Sequence, residues 1–333
     1  MLTIRMATAA DEARIVDFIR ENWKGNQTLV NSPEIFRYQY MTYTDCGFVI
    51  AEEDDQIIGI KGYVPMNHTE NPDVAAALAI VVKNNHPMLN MEIQRFLEKQ
   101  TNSRAMYSTG LNPNTAARIY PLFRYKVDKL KQYYMLSDRE DYKVASITHK
   151  EILPVCGSDT LRLFRDLEEM QTCFRSEDFA AQQPYKDDAY LQYRYFGHPI
   201  YHYDVYGVFP EGKDTAQALL IGREIDVDGT RVLRIVDYVG DRSRIPHIGN
   251  ALRCLLEEKQ YEFLDFMCYG LPEEDLAAAG FSRRQEGDEN IIPNYYEPFV
   301  QKNVDVVFFA KKIDGLLVCK ADGDQDRPNV YSL

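Results

Sequence analysis

The stretch VAAALAIVVKNNHPMLNMEIQRFL, residues 74–97, decides how this chain is read. Val74 to Val82 is an unbroken apolar run, the pattern of a strand buried on both faces. It is far shorter than the ~20 residues a membrane span needs. Lys83–Met88 reads as a loop, and Leu89, Ile93, Phe96 and Leu97 then share one face of a helix. Downstream, Ala105–Ser108 is a strand. Asn112–Phe123 is a helix broken near Pro121, whose ring removes an amide donor. Tyr125–Leu136 is extended. Upstream, Met66–Asp73 is a loop. Phe48–Glu52 and Gln56–Val64 form a hairpin around Asp54–Asp55. The chain opens with a strand at Ile4–Ala7. Thr8 then caps a helix with Asp11 as return partner, and Ile15, Phe18, Ile19 and Trp23 make its apolar face.

The order recurs in the second half. Gln217–Val227 and Thr230–Val239 flank Asp228–Gly229, a two-residue hairpin signal. Asp241–His247 is a loop. Ile248, Leu252, Leu255 and Leu256 line a helix, Phe263–Cys268 is a strand, and Pro272–Ala279 is a short helix stopped by Gly280. The segments 74–125 and 230–281 therefore match in order and spacing, which points to internal duplication. The expected fold class is α/β with mixed sheets, as two modules in tandem. Domains are expected at 1–140 and 191–333, with a connecting helical region at 141–190. There Leu161, Leu163, Phe164 and Leu167 suggest a packing helix over Thr160–Glu169.

Length and charge narrow the function. The 333 residues suit two domains of ~150 each. Net charge is −13, from 38 basic and 51 acidic residues. Residues 1–150 are neutral, so the acidic excess lies in 151–333. An acidic chain without a Lys/Arg cluster is a poor nucleic-acid binder. The six cysteines show no CxxC spacing, as expected of reduced thiols in the cytoplasm. His198 and His202 stand four apart, but Pro199 argues against a helix there. No metal-ligand signature is complete. A soluble, cytoplasmic protein that binds no membrane is expected.

The residues also carry a resemblance. IRMATAADEARIVDFIRENW, residues 4–23, resembles the first strand and helix of the GNAT acyltransferase superfamily. FVIAEEDDQIIGIKGYV, residues 48–64, resembles its second and third strands. YSTGLNPNTAARIYPLFRY, residues 107–125, is similar to its fifth strand and fourth helix, with Asn114, Ala117, Tyr120 and Phe123 as matches and the usual glycine absent. Residues 215–281 resemble a more divergent second copy. The resemblance implies mostly antiparallel, splayed sheets flanked by helices. Acyl-CoA would pair its pantetheine with the freed strand edge and rest its pyrophosphate on N–H groups at the next helix start. That assigns acyl-CoA to the first module: Val81, Val82, Lys83, Pro87, Met88, Leu89, Asn90, Met91 and Asn114. The glycines usual in that loop are missing here. The loop 241–249 of the second module keeps Gly249, Arg242 and Arg244.

Residues 190–203, 291–299 and 319–329 resemble tandem-GNAT proteins of bacterial surface-polysaccharide clusters. The resemblance implies N-acyl transfer, from acetyl-CoA or 3-hydroxybutanoyl-CoA, onto a nucleotide-linked amino sugar. A dTDP-3-amino-3,6-dideoxyhexose is favoured, which would place the protein in O-antigen and lipopolysaccharide biosynthesis. Arg194, Tyr195, Tyr295, Tyr296, Glu297, Lys320, Asp322, Asp324, Gln325, Asp326, Arg327 and Asn329 are the expected substrate contacts. Arginine and lysine suit a diphosphate, and tyrosine faces suit a base. The same tail also reads as a solvated turn, and the tyrosines as core or interface residues.

Direct transfer needs a proton acceptor for the amine and a donor for the departing thiolate. Asp237, isolated in an apolar strand, and His198 are the candidate bases. A buried lone Asp is costly unless paired or useful. His198 also reads as a structural histidine. Tyr120 matches the family's acid position and equally reads as a packing tyrosine. Two other functions stay open. One is a binding module with decayed acyl-CoA loops, which the glycine-poor loop 83–91 favours. The other is an aminoacyl-transferring cell-wall enzyme, although no basic coiled-coil insertion for tRNA is visible. Edge strands in the hairpins would let two copies pair as a homodimer.

Overall fold

The computed structural model describes residues 1–23, 27–311, 314–323 and 326. The chain forms two compact units. Unit 1 holds Met1–Val127 with the described parts of Phe308–Ile313 and Asp322–Leu333. Unit 2 holds Asp128–Val307 and Asp314–Ala321.

In unit 1 a strand β1 (Leu2–Met6) leads to helix α1 (Glu12–Asn22), whose first turn is fastened by Asp11 accepting from the Thr8 N–H at 3.0 Å. Arg5 clamps the same carboxylate at 2.8 Å and holds it well below the usual range. Helices α2 (Gln27–Asn31) and α3 (Pro33–Met41) follow. Then come β2 (Phe48–Glu53), β3 (Gln56–Pro65) and β4 (Val74–Val81) as an antiparallel meander. The β2–β3 turn uses Asp54 and Asp55, both at positive φ, as a two-residue hairpin requires. Helix α4 (Leu89–Thr101) crosses to β5 (Met106–Thr109). Leu89, Ile93 and Leu97 of α4 pack on Val49, Ala51, Val74 and Ala76 of the sheet. After β5 come α5 (Ala116–Ile119), one 3-10 turn over Tyr120–Phe123, and β6 (Lys126–Lys129).

Unit 2 opens with β7 (Lys131–Leu136) and continues through β8 (Thr160–Phe164), α6 (Leu167–Gln171) and α7 (Asp188–Leu191). The strands β9 (Asp204–Phe209), β10 (Ala218–Val227) and β11 (Thr230–Gly240) form its meander. Next are α8 (Gly249–Glu258), β12 (Phe263–Tyr269), α9 (Glu273–Ala278) and β13 (Ser282–Arg283). A small ribbon joins β14 (Tyr295–Tyr296) to β15 (Phe299–Val300). The chain then adds β16 (Val307–Ala310) and β17 (Val318–Cys319). The core packs Leu252 and Leu256 of α8 on Leu233, Ile235, Leu264 and Phe266.

The sheet orders are β1-β2-β3-β4-β5-β16-β6 and β13-β7-β12-β11-β10-β9-β8, with β17 on β12. Each sheet thus takes in one strand from far along the chain. β16 lies between β5 and β6, and β7 lies between β12 and β13. The extended stretch Tyr125–Leu136 is therefore two strands in different sheets, divided at Leu130. Its periodicity gives no sign of that division. Residues 128–140, expected in the first domain, fall in unit 2.

Two expectations need correction. Thr160–Glu169 is not a helix. Thr160–Phe164 pairs antiparallel with β9 from Thr160↔Phe209 to Phe164↔Val205, and α6 begins only after Asp166 caps it. Strand pairing overrides a short apolar pattern that fits either period. Asn112–Phe123 is helical only at Ala116–Ile119, then tightens to a 3-10 turn at Pro121.

Candidate functional site

In each sheet two adjacent parallel strands start paired and then part. β4 meets β5 only at Val74↔Met106 and Ala75↔Tyr107. Immediately beyond, β4 spends one extra residue against β3, since Lys61 faces Ala79 while Tyr63 faces Ala76. This bulge bends β4 away from β5 and opens a fork. Unit 2 repeats the device. β11 pairs β12 through Ile235↔Phe266, and its extra residue follows at once, with Ile221 facing Asp237 and Gly222 facing Ile235.

The two forks differ in what fills them. In unit 1, Ala79 is exposed and Ile80 and Val81 are half-buried, although β4 is the middle strand of seven. The apex is occupied: Thr109 Oγ1 donates to the Asp322 carbonyl at 3.0 Å, and Gly323 lies against Ala75. In unit 2 the chain's own segment Gly315–Ala321 runs through the fork. Val318 and Cys319 pair with Tyr269 and Cys268, and the Ala321 N–H donates to the Val236 carbonyl at 3.0 Å. Arg242 donates to the Gly315 carbonyl at 2.6 Å. Val232 through Gly240 are all buried.

The loops after the forks differ likewise. In unit 2, residues 241–249 form a 3-10 turn at Arg242–His247 instead of an open loop. Asp241 accepts from the Ser243 N–H, Arg244 is held by buried Asp159 at 2.6 Å, and Gly249 packs directly on the Cys156 carbonyl. In unit 1 the loop is smaller and more open. Lys83, Pro87 and Met88 are exposed, Asn84 Oδ1 accepts from the His86 N–H at 2.6 Å, and His86 Nε2 lies 3.2 Å from Glu53. Asn90, in the first turn of α4, has a buried Oδ1 that meets no donor. Such an acceptor suits an amide N–H from a ligand.

Beneath the unit 1 fork lies a polar cluster that the sequence reading missed. Lys61 of β3, 1% exposed, donates to Gln94 Oε1 of α4 at 2.7 Å and to the Tyr120 hydroxyl at 2.8 Å. Burial pushes the Lys61 ammonium down to about 7, with Glu98 opposing. Burial pushes the Tyr120 phenol up. Glu98 accepts from Gln94 at 2.8 Å and from the Tyr125 hydroxyl, and Lys311 stands 3.5 Å away. The Tyr120 ring stacks on Phe309 of β16 at 4.0 Å. Lys61 carried the same signal as Asp237, a single charge in an apolar strand. Asn114 lies in the segment before α5 and is exposed.

Asp237, fully buried in unit 2, accepts from Lys186 at 2.5 Å, from the Tyr195 hydroxyl, and from the Tyr238 N–H at 2.8 Å. Its charge is thus balanced in place. His198 Nδ1 accepts from the N–H groups of Ile200 and Tyr201 at 3.1 and 2.9 Å, which is turn-forming work. The expected substrate residues of unit 2 do gather. Arg194 donates to the Tyr203 hydroxyl and the Ala321 carbonyl, and Lys320 lies over the Tyr295 ring at 5.5 Å. Tyr201 donates to Glu297 at 2.7 Å beneath the Arg223 guanidinium, 3.9 Å from its ring. Arg234 covers Tyr296 at 4.7 Å. Sequence reasoning missed Lys186, Tyr201 and Arg223. Asp322 and Asp326 are buried and belong to unit 1. Asp324, Gln325, Arg327 and Asn329 lie outside the described residues. Among the described residues no group of three or more His, Cys, Asp or Glu could hold a metal ion, and no helix is long and apolar enough to cross a membrane.

No family model matches the sequence, and no curated protein matches it. Solved structures do match. One is a probable N-acyltransferase from Enterococcus faecalis V583, with TM-score 0.54 and 10% identity over 93% of this chain and 72% of that one. Another is a GCN5-related N-acetyltransferase from Anabaena variabilis, with TM-score 0.51 and 10% identity over 92% and 72%. At such identity the likeness is one of fold. Over most of its length this chain is similar in fold to GNAT-type N-acyltransferases, with open mixed sheets flanked by helices and the splayed-strand module built twice.

Proposed function

We propose that this chain transfers an acyl group from an acyl-CoA to an amine, and that the acyl-CoA binds in the unit 1 fork. One observation carries the choice. β4 is exposed at Ala79 and half-buried at Ile80 and Val81, whereas the matching part of β11 is buried and meets the chain's own Ala321 N–H at Val236. Pantetheine would lie beside Ala79–Val81, adding its amides as a strand would. Val82–Met91, with Lys83 and the opening turn of α4, would receive the pyrophosphate, and Asn90 Oδ1 would accept from a pantetheine N–H. The amine attacks the thioester carbon, the C–S bond breaks, and CoA leaves as a thiolate. Tyr120 is the proposed proton donor to that sulfur. Asp237 and His198 have no part in this reading, because both are committed to bonds within unit 2.

The finer proposal names the acceptor: a nucleotide-linked amino sugar, dTDP favoured, receiving an acetyl or 3-hydroxybutanoyl group. Its support is the likeness of 190–203, 291–299 and 319–329.

The test is calorimetric titration with acetyl-CoA and 3-hydroxybutanoyl-CoA, followed by thiol release with dTDP- and UDP-linked amino sugars and simple amines. One CoA ester bound per chain, with thiol released only when amine is added, supports the transferase. Two bound per chain would overturn the assignment to one fork. No binding would leave the non-enzymatic module in its place.

A further inference from the structure

The fork separates two strands, yet a hydrogen bond crosses beneath it. Lys61 comes from β3, which flanks β4. Tyr120 is seated on Phe309 of β16, which flanks β5. Their 2.8 Å bond therefore spans the strands that part. Ala79 is the residue facing Lys61 on β4. Because Lys61 donates to the Tyr120 oxygen, the hydroxyl's own proton is directed elsewhere.

We propose that Lys61 supplies, through Tyr120, the proton that turns the departing CoA thiolate into a thiol. The inference rests on the acyl transfer proposed above. The proton count closes. Tyr120 gives its hydroxyl proton to sulfur and becomes a phenolate. The Lys61 ammonium gives a proton to that oxygen and becomes a neutral amine. Lys61 is then recharged from the proton that the acceptor nitrogen releases through water. A buried phenolate is costly without a cation beside it, and Lys61 is that cation. An ammonium displaced to about 7 is close to ambient pH, where a proton relay works best. The groups facing Lys61 are Gln94 and Glu98 from α4, Tyr120 from the turn after α5, and the Phe309 ring from β16 at 5.9 Å. Lys311 stands on Glu98, and Tyr125 meets Glu98 with its hydroxyl and the Tyr120 ring edge-on at 5.3 Å. Lys61 acts through Tyr120, so it is a positioning and proton-supplying residue.

The test uses the full chain, acetyl-CoA, and the amine that gives thiol release, with kcat measured across pH. For the native protein, kcat falls above about pH 7, as Lys61 loses the proton it must give. Lys61→Met lowers kcat by at least about tenfold with the acetyl-CoA KM nearly unchanged, since a positioned proton donor contributes ~10²–10⁴. Lys61→Arg keeps the cation beside the Tyr120 oxygen but has no proton to give, so it also lowers kcat, and it loses the limb near pH 7. A merely structural lysine would leave that limb in place. Tyr120→Phe keeps the ring stack on Phe309 and removes one oxygen. It must lose the same limb, and it carries the test where Lys61→Met does not fold. Turnover whose pH limb survives in Lys61→Arg and Tyr120→Phe overturns the inference and leaves the transferase standing. Failure of the native protein to bind acetyl-CoA overturns the transferase itself, and the inference with it.

Discussion

Asp237→Asn tests whether the buried carboxylate of β11 is structural. Asp237 is fully buried and Lys186 is 3% exposed, with 2.5 Å between their charged atoms. The substitution keeps the shape and removes the negative charge, leaving a buried ammonium beside a neutral amide. Breaking such a pair from one side costs about 3–5 kcal/mol. Lys186 has one escape, which is to shed its proton. From an ordinary lysine value near 10.4 down to pH 7, at about 1.4 kcal/mol per pH unit, that costs about 5 kcal/mol. The two limits agree, so the loss should be about 3–5 kcal/mol out of a typical total of 5–15. The sign of its pH dependence follows. In the variant, the folded lysine value lies below the unfolded one, so the unfolded chain binds more protons between them. Stability of the variant then rises with pH, and the deficit shrinks toward pH 10. Urea unfolding of the native protein, Asp237→Asn, and Asp237→Asn with Lys186→Met at pH 7 and pH 9 reads all of this. The double variant should recover at least half of the loss, since no buried ammonium is left beside the neutral amide. A loss under about 1 kcal/mol in Asp237→Asn, well below the buried-pair cost, would refute the reasoning. So would a double variant no better than the single.

Three further outcomes follow from the forks. Ala79→Trp leaves stability within about 0.5 kcal/mol, because the position is exposed. It weakens acetyl-CoA binding by at least about tenfold, or about 1.4 kcal/mol in calorimetry. Gly270→Ala loses at least about 1–3 kcal/mol in thermal or urea unfolding, since φ is +103° and an added Cβ meets the Leu316 carbonyl at 2.1 Å. Native protein compared with Lys61→Met gains stability from about pH 7 to about pH 10 and shows no trend below pH 7. Its buried amine gives up a proton at about 7 that the unfolded chain keeps to ~10.4. Urea midpoints read it, and a difference that falls with rising pH would refute it.

How far the site was legible depends on range. Tyr120, Asn90 and the 83–91 loop are marked by the family resemblance, read onto an apolar strand, the loop after it and a broken helix. Lys61 was overlooked although a lysine amid Ile57, Ile58, Ile60 and Val64 is as anomalous as Asp237 amid Ile235, Val236 and Val239. Neither anomaly names its partner. Lys61 meets Gln94 and Tyr120, 33 and 59 residues away, and Asp237 meets Lys186, 51 residues away. Such pairings follow from the packing of elements, which no local pattern encodes.

What the sequence alone determined is the module: apolar periods, two-residue turns at Asp54–Asp55 and Asp228–Gly229, helix starts and stops, and the repeat of all these at 74–125 and 230–281. These are short-range effects of backbone sterics and amphipathic burial, written within a few residues of where they act. Tertiary structure decided which fork the segment Gly315–Ala321 fills. Two bulges of equal register make two forks, but Gly315–Ala321 fills one because its backbone N–H and carbonyl groups find partners on β12, Val236 and Arg242. Backbone groups are the same in every residue, so the segment that closes an unpaired edge is chosen by where the chain passes and not by its side-chain pattern.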